Sequence, residues 1–103
     1  MKYRKTTIAL LLTISTQAAA EVREFKEPRL EGLRMDRCLT WGEGCGEPAA
    51  YKWCLEKGFS KAIYWEVENG IGHKQPTKML KSKEICNQSV CDAMKLIVCF
   101  KNV

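Results

Sequence analysis

The chain has 103 residues, of which 46% are apolar and 28% charged, with six cysteines and a formal charge of +5. This length holds one small domain and excludes a large enzyme, a repeat array or a coiled coil. Lys2, Arg4 and Lys5 lie in a predicted leader; without them 14 basic residues stand against 12 acidic ones, a net +2. That balance argues against nucleic acid as a partner.

Residues 1–20 have the three parts of a secretory signal peptide. Lys2, Arg4 and Lys5 form a positive start, Ile8 to Ile14 a short apolar run, and Ala18-Ala19-Ala20 a small-residue cleavage site. Glu21 is the expected first mature residue, with cuts after Ala18 or Ala19 as alternatives. The apolar run falls well short of the roughly 20 residues a spanning helix needs. The expected location is therefore the periplasm or the medium, with no membrane span in the mature form.

Residues 21–32 are mostly charged and read as a mobile N-terminal arm, followed by a single cysteine-rich domain over 33–103. Apolar residues around Leu33, Met35 and Leu39 allow a short strand. Trp41-Gly42-Glu43-Gly44-Cys45-Gly46 reads as a glycine-rich loop with sharp turns. Glu47 to Lys57 is the clearest helix, with Pro48 in the first turn and Gly58 as its terminator. Ala50, Trp53, Cys54 and Lys57 share one stripe, so Trp53 and Cys54 are expected to face the core. Lys61 to Glu68 reads as a strand whose core face carries Ile63, Trp65 and Val67. A turn at Asn69-Gly70 opens a loop through His73 and Lys74 to Pro76. Thr77 to Leu80 reads as a second strand, Lys81-Ser82-Lys83 as a turn, and Met94 to Phe100 as a buried strand. The expected fold is α+β: one helix packed on a small antiparallel sheet of three to four strands, stapled by three disulfides.

All six cysteines, Cys38, Cys45, Cys54, Cys86, Cys91 and Cys99, follow the leader, in the spacing C-x6-C-x8-C-x31-C-x4-C-x7-C. An even count in a short exported chain reads as disulfides. A zinc site needs close cysteine pairs or further histidines, and His73 is the lone histidine, so neither a metal nor any other cofactor is expected. Many pairings are open to six cysteines. Cys86–Cys91 closes over a turn, Cys54–Cys99 ties the helix to the last strand, and Cys38 and Cys45 are then left to each other.

The blocks Arg34-Met35-Asp36-Arg37-Cys38-Leu39-Thr40-Trp41-Gly42, Cys45-Gly46-Glu47-Pro48-Ala49-Ala50 and Trp53-Cys54 carry a resemblance. So do Ile71-Gly72, Pro76-Thr77, Cys86, Cys91-Asp92 and Cys99. Together they resemble a small secreted cysteine-rich domain of bacterial and plant exported proteins, over most of residues 33–99. That family has no settled biochemical activity, so the resemblance implies no catalytic residue. The chain departs from the pattern at Ala93-Met94, where an aromatic is expected.

Three functional readings follow from the side chains. His73, with Glu66 or Glu68, has the groups for acid–base hydrolysis. Glu43 with Asp36 or Glu66 is a further carboxylate pair of the glycosidase type, but no nucleophile elbow is present, and non-catalytic action is expected. Trp41 beside the glycine loop and Tyr64 on the polar strand face are candidate binding aromatics for a protein or a sugar ring. The loops 42–47 and 69–76, the latter with His73 and Lys74, suit an inhibitor-like contact, because a preorganised loop loses little entropy on binding. Lys74, Lys78, Lys81 and Lys83 form a candidate face for an acidic partner. The expected function is a disulfide-stabilised binding module, protein-interacting or inhibitor-like. Glycan or cell-envelope polymer binding is the alternative, and a small hydrolase built on His73 the third.

Overall fold

A computed structural model describes residues 19–102. Residues 1–18 of the expected leader lie outside them. The elements are β1 (Ala20–Lys26), β2 (Arg29–Leu30), β3 (Leu33–Met35), β4 (Cys38–Thr40), β5 (Glu43–Cys45), α1 (Glu47–Glu56), β6 (Lys61–Glu68), β7 (Thr77–Lys78), β8 (Ile85–Cys86) and β9 (Ala93–Asn102). The fold is α+β, with the helix against antiparallel strands and three disulfides in place.

β1, β9 and β6 form an antiparallel sheet with β9 in the middle. Alternation along β9 turns Ile97 and Cys99 to one face, where both are fully buried. Their ladder partners on that face are Phe25 and Trp65 opposite Ile97, and Ala62 opposite Cys99. All three partners pack on the core that α1 completes with Ala49, Ala50, Trp53 and Cys54. The Phe25 ring meets Trp53 and Phe59 edge-on, with centroids 5.5 and 6.0 Å apart.

The N-terminal segment corrects the expectation of a mobile arm over 21–32. Residues 20–26 pair with β9 along their whole length, from Ala20–Asn102 to Lys26–Leu96, and Arg29–Leu30 pairs with β3. An edge strand that sinks Phe25 and leaves Val22, Arg23 and Glu24 in solvent looks like a charged tail in sequence.

β6 corrects a second expectation. Ile63 is 48% exposed, and Trp65 and Val67 alone of the expected trio join the core. The register jumps between Ala62 and Tyr64, so Ile63 is the extra residue of a β-bulge. The bulge shifts the alternation, and Ala62 takes the inward place.

α1 runs as the sequence predicts, with Pro48 at its start. At its end the Gly58 N–H donates to Leu55 O and the Phe59 N–H to Cys54 O. With Gly58 at φ +90°, these two bonds make a Schellman stop, and buried Phe59 seals it against Cys54. Lys57 lies just past the helix, its Nζ 4.5 Å from the Trp53 ring centroid.

The remaining strands are two or three residues long. β2, β3, β7 and β8 form a mixed sheet in that order, β3 and β7 running parallel, and β4–β5 is a separate hairpin. The expected strand over 77–80 is confined to Thr77–Lys78; Met79 and Leu80 leave the ladder yet are 2% exposed. Buried polar groups join these pieces. Asp36 accepts from the Cys38 N–H (2.8 Å) and the Thr77 hydroxyl (2.5 Å). Arg34, 1% exposed, donates to Glu68 (2.9 Å) and to the Met94 carbonyl (3.2 Å). Ala93 bridges Asp36, and Ala93 and Met94 are fully buried.

The bridges are Cys38–Cys45, Cys54–Cys99 and Cys86–Cys91. Gly72 abuts the last of them: a Cβ there would run into the Gln88 carbonyl and the Cys91 side chain. No described helix is long and apolar enough to cross a membrane.

Candidate functional site

The site is assembled from two small disulfide-closed loops. Cys38 pairs directly with Cys45 across the β4–β5 hairpin, and Thr40 with Glu43, which leaves Trp41 and Gly42 as a two-residue tip. Gly42 sits at φ +68°, a conformation that costs glycine nothing. Gly44, at φ +65°, lies so close to Leu39 that an added Cβ would fall 2.8 Å from its Cδ1. This hairpin holds Trp41 outward, 49% exposed.

Opposite stands the loop closed by Cys86–Cys91, with Val90 72% exposed. Between Trp41 and Val90 lies a hollow of about 160 Å³. Met79 and the buried Cys86 and Cys91 line its apolar part; Asp36, Arg37 and Asp92 line its polar part. Arg37 Nε is 3.2 Å from Asp92 Oδ2, an ion pair without hydrogen-bond alignment. The other Asp92 oxygen accepts from the Gly70 N–H at 2.7 Å, and the Arg37 N–H donates to the Asp92 carbonyl at 2.9 Å. Asp92 thus ties the start of the hairpin to the turn after β6. The hollow is bordered by two disulfide bridges, and it is smaller than the roughly 300–1,000 Å³ of ordinary small-molecule sites. It suits one inserted side chain or one ring.

The other expected site residues lie elsewhere. Tyr64 is half exposed on β6, its hydroxyl donating to Glu66 at 2.7 Å. That bond and the Glu66 charge raise the Tyr64 pKa. Tyr64 does not line the Trp41 hollow. His73 and Lys74 are exposed in the turn where Ile71 O accepts from the Lys74 and Gln75 N–H groups. Neither lines the Trp41 hollow. Glu68 is held by Arg34 and Glu66 by Tyr64, so neither expected carboxylate is paired with His73. Asp36 is 5% exposed and bonded through both oxygens, which removes it from a glycosidase pair with Glu43. Lys78 is paired with Glu31, so the expected lysine face loses one of its four members.

Trp41 is the residue of this site legible in the sequence. Val90, Arg37 and Asp92 are missed. The one signal for Val90 is an isolated aliphatic in a polar C-x4-C loop; Arg37 and Asp92 meet only through the fold.

Compared with known proteins, the chain matches no family model, no curated protein and no solved structure. The cysteine-rich resemblance therefore rests on the residues that carry it.

Proposed function

We propose that the protein is an exported, non-catalytic binding module that takes an apolar anchor of a partner protein into the hollow between Trp41 and Val90. One observation carries this reading: two large apolar side chains are held exposed on facing loops, each closed by its own disulfide. An exposed tryptophan beside a small, preformed, partly apolar hollow has the composition of a protein-binding hot spot. Three disulfides in a small domain fit an oxidising compartment, which supports export to the periplasm or the medium.

The test is capture from the exported protein fraction of the source cell, followed by titration with the purified partner. Trp41→Ala should weaken binding by about tenfold or more, with melting unchanged. Glycan or envelope-polymer binding is the second reading, favoured by the Arg37–Asp92 pair beside the indole, which offers donors and acceptors for ring hydroxyls. Salt-resistant co-sedimentation with insoluble envelope polymer, lost in Trp41→Ala, would decide for it and against a protein partner.

A further inference from the structure

The turn after β6 carries an Asn-Gly pair that belongs neither to the apolar core nor to the lining of the Trp41 hollow. The β6–β9 ladder ends at Glu68–Ala93, and the next backbone tie runs from the Ile71 N–H to Cys91 O at 2.9 Å. Asn69 and Gly70 lie between these ties, with Asn69 exposed. The N–H of their peptide bonds to a side chain: Gly70 donates to Asp92 Oδ1 at 2.7 Å. The fold requires the glycine. Gly70 sits at φ +65°, and an added Cβ would fall 3.3 Å from the Ser89 carbonyl. It does not require the asparagine, because residue 69 is outside the left-handed region.

An asparagine followed by glycine can close on itself, since glycine has no Cβ to hinder the attack. The Gly70 nitrogen gives up its proton and bonds to Asn69 Cγ. The Cγ–Nδ2 bond breaks, ammonia leaves, and a succinimide ring joins the two residues. Water then opens the ring. Cleavage between the nitrogen and Cγ leaves aspartate at position 69. Cleavage at the main-chain carbonyl leaves isoaspartate, with the chain rerouted through the former side chain. The balance is water in and ammonia out, with nothing oxidised or reduced. We propose that Asn69–Gly70 is a self-modification site of this kind, restrained by Asp92, and that its conversion cuts the tie between this turn and the Trp41 hairpin. Asp92 restrains it twice. Its oxygen occupies the N–H that must be lost, and its negative charge opposes deprotonation of that nitrogen. The restraint is a side-chain bond on a turn outside the ladder, so the peptide opens locally while the core stays closed. After conversion a new carboxylate stands at position 69, beside the nitrogen that Asp92 held. Like charges then face each other, and isoaspartate also lengthens the backbone. Asp92 is paired with Arg37 at 3.2 Å, so the change reaches the foot of the hairpin.

Incubation of the oxidised protein in mild alkali tests this, read by peptide mapping of the fragment that carries residue 69. Aspartate and isoaspartate should appear at position 69 ahead of any change at Asn87, and Asn69→Gln should stay unconverted there. Asp92→Asn keeps an acceptor for the Gly70 N–H and removes the charge, and should speed conversion roughly fivefold. The converted protein and Asn69→Asp should both exchange the Gly70 and Arg37 amides faster than the unconverted protein, because those amides bond to Asp92. Melting curves establish that each variant is folded. Neither readout needs a partner for the Trp41 hollow, so this site stands or falls apart from the proposed binding. An oxidised protein that keeps Asn69 intact while the reduced, unfolded chain converts would overturn the proposal. So would an Asp92→Asn rate no faster than wild type, or a converted protein whose Gly70 amide stays protected.

Discussion

Around α1 and the three-stranded sheet, long strands bury a continuous set of apolar side chains, and one disulfide spans 45 residues from helix to central strand. Around β2 to β5, β7 and β8, strands of two or three residues lend Met35, Leu30 and Leu39 to that same core, and the separate apolar cluster there is only Met79 with Cys86 and Cys91. Two short bridges, spanning 7 and 5 residues, and the buried groups Arg34, Asp36 and Thr77 hold this second region. Where regular structure covers enough apolar area, burial is the main cohesive term. Where it does not, covalent closure and buried polar groups that bond across elements, Asp36 to Thr77 and Arg34 to Glu68 and Met94, add to it. The candidate binding hollow sits in the second region, where rigidity is imposed on loops.

The largest expected effect lies in the first region. Replacing Cys54 and Cys99 together by serine releases a 45-residue loop in the unfolded chain, worth about 4 kcal/mol in the chain-entropy account. Thermal melting should show a large loss of stability for the whole domain. An unchanged midpoint would mean that the apolar core needs no bridge.

Asp36→Ala sharpens the contrast. It leaves the Thr77 hydroxyl and the Cys38 N–H without their buried acceptor, a loss of about 3 kcal/mol. Amide exchange should quicken around Thr77 and Cys38 well before it quickens at Ile97 and Cys99. Uniform acceleration would erase the distinction between the two regions.

The smallest effect is on pH. Lys78, by hydrogen bond and by charge, holds the exposed Glu31 carboxyl below the ordinary carboxylate range. A folded value below the unfolded one gives stability that is present above the unfolded value and is lost as pH falls through the folded one. The melting advantage of the wild type over Glu31→Gln should therefore be slight near neutrality and vanish in acid. An advantage that grew on acidification would contradict the pairing.

The same division governs how much the amino-acid sequence reveals. The first region is legible: Pro48 and Gly58 bracket α1, β-branched and aromatic residues mark β6, and Met94 to Phe100 is an apolar run. Its failures are local. β1 is an edge strand with one core residue, Phe25, and the bulge at Ile63 reverses an alternation that is otherwise clear. In the second region the cysteines foretell both closures, Cys86–Cys91 from its short spacing and Cys38–Cys45 as the pair left over. They do not foretell that Arg34 and Asp36 are buried, since charged residues ordinarily mark surface. Of the candidate site, Trp41 is legible because a tryptophan at a glycine-rich turn has little to pack against. Val90 and the Arg37–Asp92 pair depend on which loops the mixed sheet brings together, and spacing carries no record of that.

The pairing of Ala20 with Asn102 at one end of the sheet sets the two ends of the described chain side by side. A few flexible residues would join them, so the domain can be closed into a ring or inserted into an exposed loop of a carrier protein without stretching either host or guest. The Trp41 hairpin would then be displayed on a scaffold whose two points of attachment are a single strand spacing apart.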